Sequence, residues 1–447
     1  MIHYLKIKNF GPVKNDAEIN FEVAENMEQD EYEVEMADGK RLLKLAYIYG
    51  ANASGKTTIL DAFEFLRKLL LVPLENKASE LDYDPFLFCE NAFESTSDFE
   101  LSFYVEKLRY IYTVEFSKQS VLNEKLVYYQ TLKPTVLFSR ITDSKKRLAK
   151  IHFGNRIKVP AREKDLIELN TLHNNSVFGA YARTNVDIPE LEALNRWFTA
   201  YLLGVVTSAT DLTQYTAKLI SGNPEINDWI NKFLNKADQQ ITAVDVLYES
   251  DDMEKAIDSS DVMPGVNGLN ESYLNMYEKV VIKEAFANIT PLSFLKRRQK
   301  IDVIHDVVNG KRYVLSIQKE SSGTQRYFGL GGILYELIHH SHLLCIDELE
   351  TSLHPDLMKH FLQMFVLNVK SSQLLVTTHN LSLMAEQDFL RRDALWFSEK
   401  GEDGSISLYS AADFDTSVLR KDANLINAYK SGKLGAKPNL GSPYIKD

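Results

Sequence analysis

The chain has 447 residues, of which 45% are hydrophobic and 25% are charged, as in an ordinary folded protein that is long enough for several domains. Its formal net charge of −11 argues against a protein that coats nucleic acid non-specifically, although it allows a local basic groove. No apolar run reaches the roughly 18 residues of a membrane span and no secretory signal is recognisable, so the sequence predicts a cytoplasmic protein without membrane contact.

The first half of the chain contains mostly strand patterns. Residues 1–21 alternate like a β-hairpin with Gly11-Pro12 at the bend, and the acidic stretch 25–35 is typical of a solvated loop or an outer hairpin. Three further strands are predicted by alternation, at 99–105, 110–116 and 121–129.

Residues 50–57 match the phosphate-binding pattern GxxxxGK[ST] in full. An apolar segment, 42–49, precedes this loop and a helical pattern, 59–66, follows it, which is the strand–loop–helix order of a P-loop. In such a loop the backbone N–H groups surround the β-phosphate, Lys56 reaches the β- and γ-oxygens, and the Thr57 hydroxyl ligates Mg²⁺. The sequence therefore predicts a site for a nucleoside triphosphate.

The middle of the chain contains mostly helical patterns. Residues 189–205 and 226–234 have helical spacing, 249–270 is polar and acidic like a mobile connection, and 272–288 predicts another helix. Strand patterns resume at 301–308 and 312–317, where Asn309-Gly310 predicts a type I′ hairpin. Helix and strand patterns then alternate to the end. We therefore predict one discontinuous α/β head, formed by 1–155 and 296–447 and interrupted by a mostly helical insertion at 156–295.

Three patterns in the second half complete a possible nucleotide site. Residues 343–348 form an apolar strand that ends in Asp347 and Glu348; beside the P-loop strand, Asp347 would lie near the Mg²⁺ shell and Glu348 could polarise water. Residues 373–379 form another buried-strand pattern, which ends in His379. Residues 320–325 precede a helix and are typical of a capped helix start or of a phosphate-binding motif. The two interpretations are compatible, because a capping side chain and a phosphate bind the same kind of backbone N–H group at a helix start.

In this order the four features resemble the ABC-type ATPases of the RecF/SMC-like class, and more closely the RloA-type and abortive-infection ATPases of prokaryotic defence loci. The residues that carry the resemblance are 50–57, 320–324, 347–355, 378–380 and the tail 429–438. The resemblance covers both flanks and is thin across about 156–295. It implies an α/β, ABC-type P-loop ATPase head with a mixed sheet and an antiparallel β-subdomain, which binds and hydrolyses ATP with Mg²⁺.

The resemblance also implies a role for each matching residue. Glu348 activates water and His379 contacts the γ-phosphate, while Thr57 and Asp347 hold the metal. Ser321 and Gly323 complete the site of a facing protomer, and residues 352–355 lie at that dimer seam. The nucleotide-binding residues implied are Asn9 in the first strand and, in and after the loop, Gly50, Ala51, Asn52, Ala53, Ser54, Gly55, Lys56, Thr57 and Thr58.

The chain departs from the family pattern in two places. Thr324 stands where transporter-type signatures have glutamine, and neither Gln119 nor Gln130 is a good candidate for the glutamine that usually follows the P-loop helix. The coupling between the insertion and the γ-phosphate is therefore left open.

The family implies a sensor or regulatory subunit of an anti-phage system, which forms a head-to-head dimer or a larger homo-oligomer and controls a neighbour-encoded effector, a nuclease or toxin. The insertion and the tail after Ala423 would bind that effector or a phage trigger protein. Outside the ATP site the sequence has no metal cluster, nucleophile triad or nuclease carboxylate set, and its two cysteines, Cys89 and Cys345, predict buried core thiols in a reducing compartment.

The sequence features are also compatible, less well, with three other functions. A DNA-repair or DNA-maintenance ATPase that engages DNA directly is the main one; the acidic charge and the lack of long coiled-coil arms argue against it, and direct nucleic-acid binding is left open. A GTPase is disfavoured because the NKxD match at 235–238 lies in a helical pattern and the chain has no DxxG. A self-contained nuclease of the OLD type is disfavoured because too few residues follow His379 for a TOPRIM domain.

Overall fold

The computed structural model describes residues 1–24, 30–143, 145–248, 299–307, 311–386, 389–415, 419 and 424–438. The connection predicted at 249–270, the helix predicted at 272–288 and the Asn309-Gly310 turn lie outside these residues. The chain forms two compact units: the first comprises Met1–Thr207, Ser341–Leu349 and Val366–Asp447, and the second Ser208–His340 and Glu350–Phe365. Residues 156–295 are divided between the two units, so an insertion with these bounds stays a prediction.

The strands are, in chain order, β1 (Ile2–Lys8), β2 (Ala17–Asn20), β3 (Glu33–Glu35), β4 (Arg41–Leu43), β5 (Leu45–Tyr49), β6 (Ser97–Val105), β7 (Leu108–Ser117), β8 (Ser120–Tyr129), β9 (Pro134–Asp143), β10 (Leu148–Phe153), β11 (Ile241–Tyr248), β12 (Gln299–Val307), β13 (Lys311–Ser316), β14 (Leu343–Ile346), β15 (Gln373–Thr378), β16 (Leu395–Lys400) and β17 (Ile406–Ser410). The α-helices are α1 (Lys56–Leu71), α2 (Ala161–Asn170), α3 (Val177–Tyr181), α4 (Pro189–Tyr201), α5 (Leu212–Ile220), α6 (Pro224–Ala237), α7 (Ser322–His339), α8 (Pro355–Asn368) and α9 (Leu425–Lys430). No helix among the described residues is both long and apolar enough to pass through a membrane.

A seven-stranded antiparallel sheet in the first unit has the order β10-β9-β8-β7-β6-β1-β2. The alternation of its residues decides the pairing, because every second side chain points into the core. The predicted hairpin at 1–21 and the three strands predicted between 99 and 129 are confirmed as β1–β2 and β6–β8.

The second sheet of the first unit has the order β14-β15-β5-β16-β17, with the first four strands parallel and β17 antiparallel. All residues of β5, β14 and β15 are buried, which explains their continuous apolar sequence. The predicted fold class is confirmed: the head is α/β, has a mixed sheet beside an antiparallel one, and is discontinuous in sequence. One detail of the prediction is wrong, because β15 lies between β14 and the P-loop strand β5.

An aromatic cluster joins the P-loop helix to the antiparallel sheet. The ring of Phe65 on α1 lies 4.8 Å from that of Phe116 and 5.5 Å from that of Phe10, measured between ring centroids. Tyr83 and Phe99 complete the cluster. Large buried aromatic rings contribute much of the apolar surface removed from water, so this cluster fixes the position of α1.

The buried side chain of Gln373 connects several strands of the first unit. Its Oε1 accepts from the backbone N–H of Ile2 at 2.6 Å and from Tyr201 Oη at 2.9 Å. Its Nε2 donates to the carbonyl oxygens of Ile2 and Leu43. Because every donor and acceptor that was removed from water has a partner, this polar group specifies one arrangement of the strands.

A buried ion pair joins β8 and β9 to the loop before α3. Arg140 Nη1 donates to Glu124 Oε2 at 3.3 Å and to the carbonyl oxygen of Asn175 at 2.8 Å, and both charged side chains are 0% exposed. Tyr112 Oη and the backbone N–H of Val177 also donate to Glu124.

Replacing Arg140 with methionine is therefore expected to destabilise the protein by about 3–5 kcal/mol, since it leaves the Glu124 charge buried without its partner. The free energy of unfolding, measured in urea, checks this. The exposed Arg156→Met is the matched control, and the double variant Arg140→Met/Glu124→Leu should lose less than the single one. A loss below about 1 kcal/mol for Arg140→Met would show that the pair contributes little.

The acidic stretch 25–35, predicted to be a solvated loop or an outer hairpin, is described from residue 30 onwards. Its last residues form β3, which pairs with β4 as in a hairpin, and Asp30, Glu31 and Glu35 are exposed. Tyr32 is 1% exposed, and the Glu33 side chain forms ion pairs with Arg41 and Arg391.

One prediction about burial is wrong. Cys345 is buried as predicted, whereas Cys89 is exposed. Of its apolar neighbours in sequence, Leu87, Phe88 and Phe93 are exposed as well, whereas Phe86 and Ala92 are buried.

The tail residues 424–438 pack on the first unit. Leu434 and Ala436 are buried, Tyr409 Oη donates to the carbonyl oxygen of Leu434 at 2.8 Å, and the Ala436 N–H donates to Glu399 Oε1 at 3.1 Å. The tail is thus anchored on the β16–β17 hairpin, and its binding of an effector stays a prediction.

The second unit combines α5, α6, α7 and α8 as far as Phe365 with the antiparallel sheet β11-β12-β13. Phe233 of α6 stacks on Tyr327 of α7 with 4.4 Å between ring centroids, and Tyr327 Oη lies 2.7 Å from His360 Nδ1. Asn235 of the NKxD match lies in the last turn of α6, as the helical pattern predicted. Its side chain donates to the carbonyl oxygens of Gln239 and Ile241.

Candidate functional site: a P-loop and two strand ends

The P-loop connects the buried strand β5 to α1 in the first unit. Gly55 has a φ of +85°, which a residue with a side chain adopts only with strain, and a Cβ there would lie 2.5 Å from Ile406 Cδ1. The Lys56 side chain is largely buried, and its Nζ donates to the carbonyl oxygens of Gly50 and Ala51 at 3.0 Å each. The carbonyl oxygens of the loop therefore keep the ammonium group at the loop, and a bound phosphate would replace them as its partner.

The remaining loop residues have different surroundings. Asn52, Ala53 and Thr57 are exposed, whereas Ser54 is buried and its carbonyl oxygen accepts from Ser398 Oγ. Thr58 lies against the turn at Gly11, since a Cβ on that glycine would be 3.1 Å from Thr58 Cγ2.

The carboxyl ends of β5, β14 and β15 meet at one edge of the parallel sheet, as the shared strand direction requires. There the Thr57 hydroxyl lies 3.1 Å from Asp347 Oδ2, although 290 positions separate the two residues in sequence. Loss of hydration and the neighbouring charge of Asp347 raise the pKa of Asp61, one turn after Thr57, to about 6. A hydroxyl beside an excess of carboxylates fits a divalent cation, so the residues present suit Mg²⁺.

Thr377 is a functional candidate that the sequence reasoning missed. Its fully buried hydroxyl donates to Asp347 Oδ1 at 2.5 Å and accepts from the backbone N–H of Glu348 at 2.8 Å. One side chain on β15 thus orients both carboxylate residues that follow β14. The sequence places Thr377 on the buried strand that ends at His379. Its role could not be predicted from this position alone, because the role depends on β14 being the neighbouring strand.

Replacing Thr377 with valine keeps the shape and removes both hydrogen bonds. For the Mg²⁺-dependent ATP hydrolysis that is proposed below, we expect the rate to fall by about 10–100-fold and the half-saturating Mg²⁺ concentration to rise, since outer-shell partners of metal ligands have effects of this size. Thr377→Ser keeps the hydroxyl and should restore most of the rate. Steady-state phosphate release over a Mg²⁺ titration measures both, and equal rates for the valine and serine variants would contradict the orienting role.

Glu348 and His379 lie near each other at the same edge. His379 Nε2 is 4.0 Å from Glu348 Oε1, and the side chains are 35% and 50% exposed. Glu348 has a φ of +48°, an unfavourable conformation for a residue with a side chain. Strained residues of this kind are frequent at functional sites, because the surrounding structure can impose a direction on the side chain. Here the hydrogen bond from the Glu348 N–H to Thr377 holds the strained backbone.

Asn9 has a structural role in this fold. Its Nδ2 donates to Ser95 Oγ and to the carbonyl oxygen of Thr96, both at 2.8 Å, and its Oδ1 accepts from the Phe86 N–H at 2.9 Å. Both donors of the amide thus already have protein acceptors. Contact between this side chain and a nucleotide stays a prediction.

Ser321 and Gly323 lie in the second unit, at the start of α7. Ser321 is the N-cap, and its Oγ accepts from the Thr324 N–H at 3.0 Å, which confirms the predicted capped helix start. A Cβ on Gly323 would lie 2.9 Å from the carbonyl oxygen of Ser352, so only glycine permits this close approach. The predicted contact of these residues with a facing protomer stays a prediction, as does the dimer seam at 352–355.

The solved structures that match this chain include two SMC heads of low similarity. A structure titled as the SmcHead bound to the C-winged helix domain of ScpA has 14% identity and a TM-score of 0.45, covering 92% of this chain and 97% of that one. The SMC head domain from Thermotoga maritima has 13% identity and a TM-score of 0.39, covering 92% and 98%. Values this low say nothing about activity or partners. No curated protein matches this chain.

A family model gives the assignment. The model described as "AAA domain, putative AbiEii toxin, Type IV TA system" matches residues 45–385, which is more than half of the chain. The match begins at the P-loop strand and ends after His379, so it contains every element of the site except Asn9. The chain belongs to this family of AAA domains.

Proposed function

We propose that the chain binds and hydrolyses ATP with Mg²⁺ at the edge formed by β5, β14 and β15. The observation that carries the proposal is the contact between the Thr57 hydroxyl and Asp347, residues from two distant elements that together suit a metal bound to phosphate. The Mg²⁺ ion would act as a Lewis acid that neutralises charge on the phosphate oxygens.

Each residue then has one task in the proposed reaction. Lys56 leaves the carbonyl oxygens of Gly50 and Ala51 and pairs with the β- and γ-phosphates. Glu348 accepts a proton from the attacking water, and His379 donates a hydrogen bond to the γ-phosphate. Thr377 keeps Asp347 and Glu348 in position.

We further propose that two heads close on ATP, with Ser321 and Gly323 of one copy above the γ-phosphate held by the other. The start of an 18-residue helix provides a partial positive charge for that purpose. ATP binding would then control assembly and hydrolysis would reverse it.

The family description, with its toxin and type IV toxin–antitoxin terms, supports a role in an anti-phage defence system. We propose that the chain is the regulatory ATPase of such a system and controls a neighbour-encoded nuclease or toxin. The exposed lysines of the anchored tail, Lys430, Lys433 and Lys437, provide one surface for such a partner.

The partner is tested by tagging Glu348→Gln at the native locus and purifying it with ATP and Mg²⁺. Mass spectrometry should find a stoichiometric protein that is encoded beside the gene, and the same purification from Lys56→Ala should lose it. Recovery of DNA with repair proteins, and no such neighbour, would replace this proposal with the DNA-maintenance alternative.

A further inference from the structure

The second unit contains a polar cavity of about 630 Å³, which is within the usual size range of small-molecule sites. It is lined by residues from the starts of α5 and α7, from the start of β12, from the end of β13 and from the loop at Thr351-Ser352. Most of the lining side chains are hydroxyls and amides. The P-loop residues are not among them.

Arg326, on the first turns of α7, lines this cavity and is only 9% exposed. Its Nε and Nη2 atoms are buried and have no hydrogen-bond partner in the part of the chain that the structure describes. Burial lowers the pKa of Arg326, and no carboxylate of the described residues offsets that effect. Because a guanidinium stays charged in proteins, this group needs an anion.

Two other arginines show what kind of anion fits. Arg391 donates from Nε and Nη2 to the two carboxylate oxygens of Asp393, at 3.0 and 2.6 Å. Arg67 holds both oxygens of Glu64 through the same pair of nitrogens, at 2.9 and 2.7 Å. This edge of the guanidinium binds two oxygens side by side. In Arg326 the Nε and Nη2 atoms of this same edge have no partner in the described part of the chain.

Gln299, at the start of β12, supplies a second unpaired group in the same cavity. It is 6% exposed and its Oε1 has no hydrogen-bond partner among the described residues. Its backbone is fixed, because the Gln299 N–H donates to Gln214 Oε1 and Gln214 Nε2 donates to the Gln299 carbonyl oxygen. A buried amide oxygen of this kind requires a donor.

We propose that this cavity binds a small polar acid, whose carboxylate or phosphate pairs with Arg326 and whose N–H or O–H group donates to Gln299. The cavity adjoins the ATP contact proposed for Ser321 and Gly323, because Ser322 and Ser352 also line it. The ligand proposed here differs from that nucleotide, since its anionic group pairs with Arg326 and it is bound without a second copy. The ligand would join α5, α7 and the Thr351-Ser352 loop of the second unit.

The test is calorimetric binding to the full chain in a Lys56→Ala background without nucleotide, which removes the P-loop lysine from phosphate binding. Inorganic phosphate and succinate are the two probes. One of them should bind at one site per chain, and Arg326→Gln should weaken that binding at least tenfold. Arg312→Gln removes the same charge from an exposed side chain of the second unit and should leave binding unchanged.

The result also identifies the ligand: binding of phosphate assigns a phosphate group, and binding of succinate assigns a carboxylate. The proposal is overturned if neither probe binds, or if Arg326→Gln binds as well as the Lys56→Ala parent. If circular dichroism shows that Arg326→Gln is unfolded, a second variant replaces it. Ser208→Phe blocks the cavity from its exposed rim, and undiminished binding of the probe to that variant overturns the proposal. None of these outcomes depends on ATP hydrolysis.

Discussion

Replacing Glu348 with glutamine is expected to lower ATP turnover by about 10²–10⁴-fold, the usual contribution of a general base, while ATP binding is retained. The amide has the shape of the carboxylate but cannot accept the proton of the attacking water. Its backbone N–H still donates to Thr377, so the strained loop is unchanged. Steady-state phosphate release and equilibrium binding of ATP measure the two effects separately.

The same variant should accumulate as a dimer when ATP and Mg²⁺ are present, because the proposed closed state cannot be resolved by hydrolysis. Gel filtration with and without ATP detects this change. Glu402→Gln removes the same charge from an exposed loop of the first unit and should behave like the unchanged protein. Turnover of Glu348→Gln within about threefold of the parent would exclude Glu348 as the base.

Replacing Lys56 with alanine is expected to weaken ATP binding by at least about 100-fold, which corresponds to about 3 kcal/mol for a lost charge-assisted contact. The ammonium group is largely buried within the loop and is held by carbonyl oxygens of Gly50 and Ala51, the position from which it can reach a bound phosphate. All activity that depends on ATP should disappear with it.

Binding of a fluorescent ATP analogue gives the affinity of each variant. Lys68→Ala, on the same helix, is the matched control, since among the described residues the Lys68 ammonium group forms long ion pairs only, with Glu64 at 4.0 Å and Asp82 at 3.9 Å. A dissociation constant for Lys56→Ala that equals that of Lys68→Ala would mean that the loop does not hold the triphosphate.

Much of the site could be predicted because its signals are local. The P-loop needs glycine at a positive φ directly before Lys56, and an apolar run followed by Asp347 and Glu348 predicts a buried strand with carboxylates at its end. The alternation in 99–129 likewise predicted strands, because one face of each is buried.

The features of the site that could not be predicted are those that depend on which strands are neighbours in the sheet. No local pattern places β15 between β5 and β14, and the role of Thr377 follows only from that order. The exposure of Cys89, two of whose apolar neighbours in sequence are buried, likewise follows only from the folded structure. So does the fact that Arg326 Nε and Nη2 have no partner among the described residues.

The most direct test of the central claim is an experimental structure of Glu348→Gln with ATP and Mg²⁺. We predict the triphosphate within residues 50–57, the metal in contact with Thr57 and Asp347, and Ser321 and Gly323 of a second copy at the γ-phosphate. A nucleotide bound elsewhere, or a metal that contacts neither Thr57 nor Asp347, would contradict the proposal that this edge of the sheet is the site of ATP hydrolysis.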